Sequence, residues 1–352
     1  MTSPDLCPSR AYRLQRRFRA LREDAPGAAF GGIVRRGWHG WRSWFEARGG
    51  SQDRSPGAGL RALRRHLPEM ERLLGRLAAF REDDPVFAEF LGFWCPPRYL
   101  VSCSQAVAVD AEGPFLIRNY DLDPALNEAV LLATRWRGRP VMGMAEGLAG
   151  LSDGMNADGL AISLTFGGRV VAGRGFGIPL IMRYVLETCR DTQDALEALR
   201  LVPCHMSYNV TAIDASGRWA TAFLAPDRPA IIARQPWAAN HQLAVEWPRH
   251  GRISATLDRA RLLAQLDGTG RAGAADLAAA FARPPLRSSN YRGGFGTVFT
   301  ALYRPLRKSV ELRFGSGRAG TWSIGRFAPS AFDVEYTDAG ARFLGPVADA
   351  AP

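Results

Sequence analysis

Two short stretches decide the fold, Ser102-Cys103-Ser104-Gln105 and Arg118-Asn119-Tyr120-Asp121. The first opens a run of β-type residues that extends to Val109, and Asp110-Ala111-Glu112-Gly113 then has the composition of a turn. The two runs therefore predict a β-hairpin. In that hairpin, residues 118–121 return beside Cys103, so we expect a guanidinium and a carboxylate to face one thiol.

This arrangement suits a reactive cysteine. A nearby guanidinium such as that of Arg118 favours the thiolate, and a carboxylate such as that of Asp121 can orient a neighbouring amine. Each residue also has a purely structural interpretation. Cysteines on strands are often small buried hydrophobic residues, and Arg118 and Asp121 would also fit a structural ion pair.

The remaining sequence divides into two regimes. Residues 11–90 have apolar spacing typical of helices, with Ala11, Leu14, Phe18 and Leu21 in the first predicted helix and a glycine-rich break at Gly49–Gly57. After Pro96-Pro97 the pattern predicts further hairpins and helices. The hairpin turns lie at Asn156–Gly159 and Asp214–Gly217, the helices at Pro179–Leu201, Thr256–Leu266 and Asp276–Ala282, and the late strands at Thr297–Tyr303 and Ser309–Phe314. Antiparallel hairpins around helices predict an α+β fold of layered sheets and helices.

Charge is concentrated in the first part of the chain. The net charge of the 352 residues is +11, and residues 1–102 contain 18 Arg against 11 acidic residues. A basic segment of this kind could contact nucleic acid or an anionic surface. Because its arginines alternate with Glu, Asp and apolar residues, we interpret it as a solvated helical surface and expect no nucleic-acid partner.

Composition excludes several other classes. There is no run of 18 apolar residues, so no membrane span is expected, and the absence of a readable signal sequence predicts a cytoplasmic protein. The five Cys contain no C-x-x-C pair and the five His no H-x-x-x-H pair. We therefore expect neither a disulfide framework nor a metal site.

Three matches to familiar motifs are interpreted as structural. Gly268–Gly273 and Gly315–Gly320 fit G-x-G-x-x-G, but the first follows a predicted helix and the second lies between strands. Gly150–Gly154 fits the G-x-S-x-G nucleophile elbow, which needs a strand before it and a helix after it. Here a turn and a strand follow, so we expect no elbow.

Longer stretches give the chain a family resemblance. The matching features are Cys103, Arg118-Asn119-x-Asp121, the segment from Asp153-Gly154-Met155-Asn156 to Phe166, and Asn240-His241. In their order and spacing they resemble the N-terminal-nucleophile (Ntn) hydrolases of the linear amide C–N hydrolase group. The nearest branch is the isopenicillin N/6-aminopenicillanate acyltransferase family, to which the choloylglycine hydrolases are related.

The resemblance implies a fold and a maturation step. Residues 103–352 would form a four-layer αββα Ntn-hydrolase sandwich, and residues 1–102 a helical N-terminal segment that is either a propeptide or a small subunit. Self-cleavage of the Ser102–Cys103 bond would make Cys103 the new N-terminus. Its thiol would be the nucleophile and its own α-amine, with a pKa of about 7.7–8.0, the base. Acyltransferase relatives usually have Gly where this chain has Ser102.

The resemblance also assigns roles to other residues. Asp121 would hold the α-amine, Arg118 would support the thiolate and the substrate, and Asn240 would donate to the oxyanion. Thr165 stands where choloylglycine hydrolases have a second oxyanion donor, an Asn. Near the start of the late helix, Arg259 and Arg261 both fit the position of a further arginine, and we prefer Arg259.

The expected activity is that of a cysteine-dependent amidohydrolase or acyltransferase. It would act on a linear, non-peptide amide or another small-molecule acyl donor through an acyl-enzyme thioester, without a metal or organic cofactor. One alternative is a non-catalytic Ntn-like scaffold whose basic N-terminal helices bind a partner. A second is a nucleic-acid-associated protein, and the sequence leaves open whether the chain forms a homo-oligomer.

Overall fold

The computed structural model describes residues 11–53, 55–268 and 272–348. Its strands are β1 (Arg13–Glu23), β2 (Ser102–Asp110), β3 (Gly113–Leu122), β4 (Val130–Thr134), β5 (Val141–Glu146), β6 (Gly150–Asn156), β7 (Ala161–Phe166), β8 (Tyr208–Ile213), β9 (Trp219–Ala225), β10 (Arg228–Ala233), β11 (Trp237–Ala238), β12 (Ser289–Asn290), β13 (Phe295–Arg304), β14 (Ser309–Phe314), β15 (Gly317–Ser323), β16 (Ser330–Thr337) and β17 (Gly340–Val347). Its helices are α1 (Ala28–Ala47), α2 (Ala58–His66), α3 (Glu71–Ala78), α4 (Pro85–Leu91), α5 (Ile178–Thr188), α6 (Thr192–Leu201), α7 (Pro248–Ile253), α8 (Thr256–Gly268) and α9 (Ala274–Phe281). Among these described helices, none is long and apolar enough to cross a membrane.

Two sheets face each other at the centre of the molecule. One has the order β10-β9-β8-β7-β6-β5-β4-β1-β16-β17, and the other has β11-β2-β3-β13-β14-β15 with β12 beside β13. Strands β2 and β3 pack against β7 and β8 across the interface. Helices α5 and α6 cover the first sheet, and α8 and α9 cover the second. The predicted αββα sandwich is confirmed.

Strands β4 to β8 are buried on both faces, as expected for a sheet between two other layers. Glycine allows unusually close contacts within it. A Cβ on Gly143 of β5 would lie 2.2 Å from the Asp153 carbonyl oxygen, and one on Gly154 of β6 would lie 2.9 Å from Leu186 of α5. The glycines therefore bring β5, β6 and α5 together and fix the position of Asp153 between them.

The first predicted helix is wrong. Residues 11–21 were expected to be helical, but β1 pairs antiparallel with β16 and parallel with β4 inside the ten-stranded sheet. The four-residue spacing of Leu14 and Phe18 fits one helical face and equally one face of a strand, whose side chains alternate with a period of two. Both neighbouring strands are distant in sequence, so local periodicity did not reveal them.

The rest of the N-terminal segment is helical as predicted. Helices α1 to α4 pack into the same continuous hydrophobic core as the two-sheet region. Trp38 of α1 shows how they are joined, because its ring packs edge-on to Phe87 and its Nε1–H donates to Asp84 over 2.9 Å. Asp84 also caps α4 by accepting from the Val86 N–H.

Most of the later elements follow the sequence pattern. The three predicted hairpins are present, as are the late strands and the helices near 256 and 276. The helix expected over Pro179–Leu201 is two helices, because α5 ends at Thr188 and Asp191 caps α6 through the Asp194 N–H. Gly150–Gly154 lies in strand β6 and forms no elbow. Gly315–Gly320 forms a turn into β15, and Gly268–Gly273 falls partly outside the described residues.

Candidate active site

The β2–β3 hairpin brings the first site residues together. Cys103 lies opposite Tyr120 in the register and Ser102 lies opposite Asp121. Arg118 extends from β3 so that its Nη2 atom is 3.0 Å from the Cys103 Sγ atom. Cys103, Arg118 and Asp121 are all fully buried. The hairpin thus places a guanidinium directly on the thiol, as its sequence predicted.

Arg118 is held by residues of the opposite sheet. Its Nη1–H donates to Asp153 Oδ2 over 2.8 Å and to the Ser152 carbonyl oxygen over 3.2 Å, and Tyr303 donates to the other Asp153 oxygen. The guanidinium also lies 4.5 Å above the Tyr120 ring. Asp153 was noted only as part of a motif, and its pairing with Arg118 was missed because the two residues lie on different sheets.

Burial dominates the electrostatics of the thiol. It raises the pKa of Cys103 to about 12, although Arg118 acts in the opposite direction. The sequence analysis considered only the guanidinium, which favours the thiolate. In the intact chain the desolvation of the sulfur outweighs that effect, so Cys103 is a neutral thiol at neutral pH.

Asp121 is fixed by one residue of helix α8 and one of strand β13. Its Oδ2 atom accepts from Arg259 Nη2 over 2.5 Å, and its Oδ1 atom accepts from Thr297 Oγ1 over 2.7 Å. Arg259 lies near the start of α8, is buried, and also donates to the Pro285 carbonyl oxygen. Arg261 instead pairs with Asp258 at the surface. Of the two arginines that fit the sequence pattern, the structure therefore brings Arg259 to the site.

Asn240 contacts both residues of the candidate cleavage site, the Cys103 backbone and the Ser102 side chain. Its Oδ1 atom accepts from the Cys103 N–H over 3.1 Å and from Ser102 Oγ over 3.0 Å. Its Nδ2 atom faces the Phe166 carbonyl oxygen at 3.4 Å. Asn240 follows β11, which pairs with β2, so the pairing of these strands brings it to Cys103.

Thr165 and Asn209 support the segment that carries Asn240. The Thr165 hydroxyl donates to the Ala239 carbonyl oxygen over 2.9 Å. The Asn209 amide donates to Thr165 Oγ1, to the Ala239 carbonyl and to the His241 carbonyl, at 2.9 to 3.0 Å. Thr165 is therefore close to the site, but its hydroxyl proton is directed at the backbone next to Asn240.

An aromatic cavity of about 690 Å³ adjoins this site. It lies between the N-terminal segment and the sandwich, and its lining includes Trp41, Trp44, Tyr99, Tyr120, Glu128 and Glu146. Burial raises the pKa of Glu146 to about 8 and that of Glu128 to about 7. Tyr120 connects the cavity to the site, because it lines the cavity and lies opposite Cys103 in the pairing of β2 with β3.

The histidines lie apart from the thiol. His241 Nδ1 is 2.8 Å from Thr256 Oγ1, and His205 Nδ1 contacts the Gly173 carbonyl oxygen. In the described part of the chain, no three His, Cys, Asp or Glu side chains are arranged to hold a metal ion.

The four layers form an αββα sandwich, with Cys103 on strand β2 where the two central sheets meet. The chain belongs to the acyl-coenzyme A:6-aminopenicillanic acid acyl-transferase family, whose model matches residues 109–319, more than half of the chain. The matched range begins after Cys103 and therefore does not include the thiol. No curated protein is significantly similar in sequence.

Solved structures resemble this chain at low identity. Penicillin V acylase from Agrobacterium tumefaciens has 12% identity and a TM-score of 0.41, covering 65% of this chain and 91% of its own. A Caenorhabditis elegans ortholog of N-acylethanolamine-hydrolyzing acid amidase has 16% identity and a TM-score of 0.42, with 58% and 93% covered. A mutant of conjugated bile acid hydrolase from Clostridium perfringens has 10% identity and a TM-score of 0.39, with 60% and 88% covered.

Proposed function

We propose that the protein is a cysteine-dependent amidohydrolase or acyltransferase that acts on a linear, non-peptide C–N amide or a related acyl donor. The observation that carries this proposal is the contact of the buried Cys103 thiol with Arg118, beside a Ser102–Cys103 peptide bond held by Asn240. Family membership supports this class of activity. The identity of Cys103 as the nucleophile is our own assignment.

The proposed first reaction is self-cleavage. The Cys103 thiol loses its proton and attacks the carbonyl carbon of Ser102, and collapse of the adduct forms a thioester while the C–N bond breaks. The nitrogen takes up a proton and becomes the α-amine of Cys103. Water then hydrolyses the thioester, which leaves a carboxylate on Ser102 and a free thiol on Cys103. Arg118 would stabilise the thiolate, which overcomes part of the cost of its burial.

The mature enzyme would use the new amine. A free α-amine has a pKa near 7.7–8.0, so it can accept the thiol proton at neutral pH without a histidine. Asp121, held by Arg259 and Thr297, lies near this amine and would orient it. The thiolate would then attack the substrate carbonyl, release the amine, and pass the acyl group to water or to another amine.

Asn240 would serve both reactions. Oxyanion donors stabilise charge that appears only in the transition state, and removing one typically costs about 10²–10³ in rate. In the intact chain, the Asn240 oxygen accepts from the Cys103 N–H, and its Nδ2 atom is the group available to donate. The Ser102 hydroxyl also contacts Asn240, an interaction that glycine at this position would lack.

Denaturing intact-mass analysis tests this function. We expect the 38.5 kDa chain to appear as two fragments that divide between residues 102 and 103. Cys103→Ala should remain intact, whereas Cys204→Ala, which removes another fully buried thiol, should be cleaved. Turnover of acyl-amide substrates should be lost in the Cys103 variant alone. An uncleaved wild type with no turnover would favour the non-catalytic scaffold instead.

A cytoplasmic location is part of the same proposal. Cys95, Cys189 and Cys204 are free thiols in the structure. Proteins from oxidising compartments usually pair their cysteines, whereas cytosolic thiols remain reduced.

A further inference from the structure

The basic N-terminal segment forms one wall of the aromatic cavity. The arginines of this wall come mostly from β1, from α1 and from the linker between α4 and β2, residues 92–101. The other wall belongs to β3, β4 and β5. A second cavity of about 710 Å³, the linker cavity, also borders that linker, and its lining contains Arg174, Asp53 and His205. Arg48 and Arg98 line both cavities and so mark the place where the two meet.

Neither of these two arginines is neutralised by the protein. Within residues 11–53, 55–268 and 272–348, no carboxylate lies within ion-pair distance of Arg48 or Arg98, and both side chains are exposed. Arg48 lies 5.3 Å above the Trp44 ring, and both residues line the aromatic cavity. Arg174, by contrast, pairs with Asp53 over 2.8 Å.

The carboxyl groups inside the aromatic cavity oppose this positive charge only weakly. Glu128 accepts from Trp41 Nε1 and from the Leu148 N–H, and burial raises its pKa to about 7. Glu146 is buried further along the same wall, and its pKa rises to about 8. Both are partly protonated near neutral pH, so the exposed guanidinium groups dominate the charge at the cavity mouth.

We propose that Arg48 and Arg98 bind an acidic group of the substrate, a carboxylate or a phosphate, while its apolar part occupies the aromatic cavity. Guanidinium groups recognise both anions through paired N–H donors. Trp41, Trp44 and Tyr99 offer the apolar surface next to them. The enzyme would accordingly prefer amphipathic anions to uncharged acyl compounds of the same size.

This inference rests on the proposed function only for the reaction at Cys103, because anion binding needs no turnover. The cavities exist in the intact chain, so Cys103→Ala is a suitable host for binding measurements. Isothermal titration with 4-phenylbutyrate, 2-phenylethyl phosphate and the uncharged 4-phenylbutyramide separates the contributions of carboxylate, phosphate and ring. Activity assays on the wild type then report separately on the proposed function.

We expect both acids to bind more tightly than the amide, and to lose affinity as salt is raised from about 50 to about 300 mM. Arg48→Gln and Arg98→Gln should each weaken the acids by roughly fivefold and leave the amide unchanged. Arg200→Gln, at an exposed position of α6 in the outer layer, is the matched control and should have no effect. The relative affinities of the carboxylate and the phosphate identify which acid the site prefers.

Three results would overturn the proposal. The first is equal binding of the amide and the acids, the second is equal weakening by Arg200→Gln, and the third is no measurable binding of either acid. Loss of self-cleavage or turnover in the wild type, with anion binding retained, would count against the proposed function alone.

Discussion

At the scale of single residues, the site consists of polar groups that burial makes costly and that hydrogen bonds satisfy in part. Arg118 lies between Cys103 and Asp153, and Arg259 satisfies Asp121 from another layer. A buried ion pair of this kind is weak evidence for stability, since desolvation offsets much of the attraction. Each ion pair matters here for the geometry of the site, because the arginine and the carboxylate fix each other's orientation.

Asn209 provides a test of positioning without contact to the thiol. Its Nδ2 atom holds the carbonyl groups on both sides of Asn240, so Asn209→Ala should release that segment. We expect self-cleavage, followed by denaturing mass analysis over time, to slow by about tenfold or more. Asn156→Ala is the matched control, because its amide also donates to two carbonyl groups but lies near α5.

Both variants should lose about 1–3 kcal/mol in free energy of unfolding, since each removes two hydrogen bonds to buried carbonyl groups. If self-cleavage slows as much in Asn156→Ala as in Asn209→Ala, the cause is general destabilisation and not the position of Asn240. Cleavage of Asn209→Ala at the wild-type rate would remove the positioning role.

The raised pKa of Glu146 predicts that the stability of the fold depends on pH. Its pKa is raised from 4.5 to about 8 in the folded protein. As pH rises through this interval, the unfolded chain loses the proton first and is stabilised, so folding stability falls. Between about pH 5 and pH 8, the free energy of unfolding of the wild type should fall relative to Glu146→Gln by on the order of 2–4 kcal/mol.

Urea unfolding at a series of pH values measures this difference. Glu69→Gln, which changes an exposed carboxyl on the N-terminal segment, is the matched control. A constant difference between wild type and Glu146→Gln across the range would show that Glu146 is ionised throughout.

At the scale of elements, loops with unusual backbone geometry hold the site together. Gly167 and Gly168 follow β7 and pass directly behind Asn240. Arg169, next in the chain, is tied to Asp227 and Glu246. The loop is thereby fixed at one end by ion pairs, and at the other by the sheet. We expect its shape to limit how far Asn240 can withdraw from Cys103.

Gly168→Ala should disturb the site through this loop. Gly168 has a φ of +69°, and an added Cβ would lie 2.3 Å from the Asn240 carbonyl oxygen. Gly138 has a φ of +95° and no atom within 4 Å of the added Cβ, so Gly138→Ala isolates the backbone strain. Gly138→Ala should lose roughly 1–2 kcal/mol in thermal or urea unfolding, and Gly168→Ala should lose more, because its Cβ also meets the Asn240 carbonyl oxygen.

We expect only the Gly168 variant to slow self-cleavage, by about tenfold or more, in the same mass assay. Similar cleavage rates in the two variants would mean that the loop does not set the position of Asn240.

How much of the structure the sequence predicts depends on how far apart along the chain the interacting residues lie. The hairpin that carries Cys103 and Arg118 was predictable, because a short turn determines its register. Strand β1 was not, since its neighbours β4 and β16 are remote and the spacing of Leu14 and Phe18 fits two periodicities. The support of Arg118 by Asp153 and of Asn240 by Asn209 was hidden for the same reason, as each pair joins separate elements.

At the scale of the whole molecule, the candidate cleavage site lies within a single core. Phe18 of β1 packs against Phe314 and Phe332, with ring centroids 4.8 and 5.5 Å apart. Helices α1 to α4 add further buried side chains to the same core. The described residues of the N-terminal segment, 11–53 and 55–102, are therefore joined to the sandwich by sheet hydrogen bonds and by apolar packing, in addition to the peptide bond at Cys103.

Cleavage should therefore leave the two fragments bound to each other. We expect them to co-elute in size-exclusion chromatography and to separate only in denaturant. Phe18→Ala, which removes a buried ring at a typical cost of about 3–5 kcal/mol, should lower the denaturant concentration at which they part. Separation of the wild-type fragments in native buffer would indicate a propeptide that leaves after cleavage.

The location of β1 also governs the order of events during synthesis. This strand is synthesised long before its partner, Ser330–Thr337, which lies far later in the chain. The ten-stranded sheet cannot close until β16 has been synthesised, and distant pairings of this kind form slowly. During that wait, the five arginines of β1 should discourage pairing with other nascent chains. We therefore expect the basic strand to protect the newborn polypeptide from aggregation before its partner in the sheet exists.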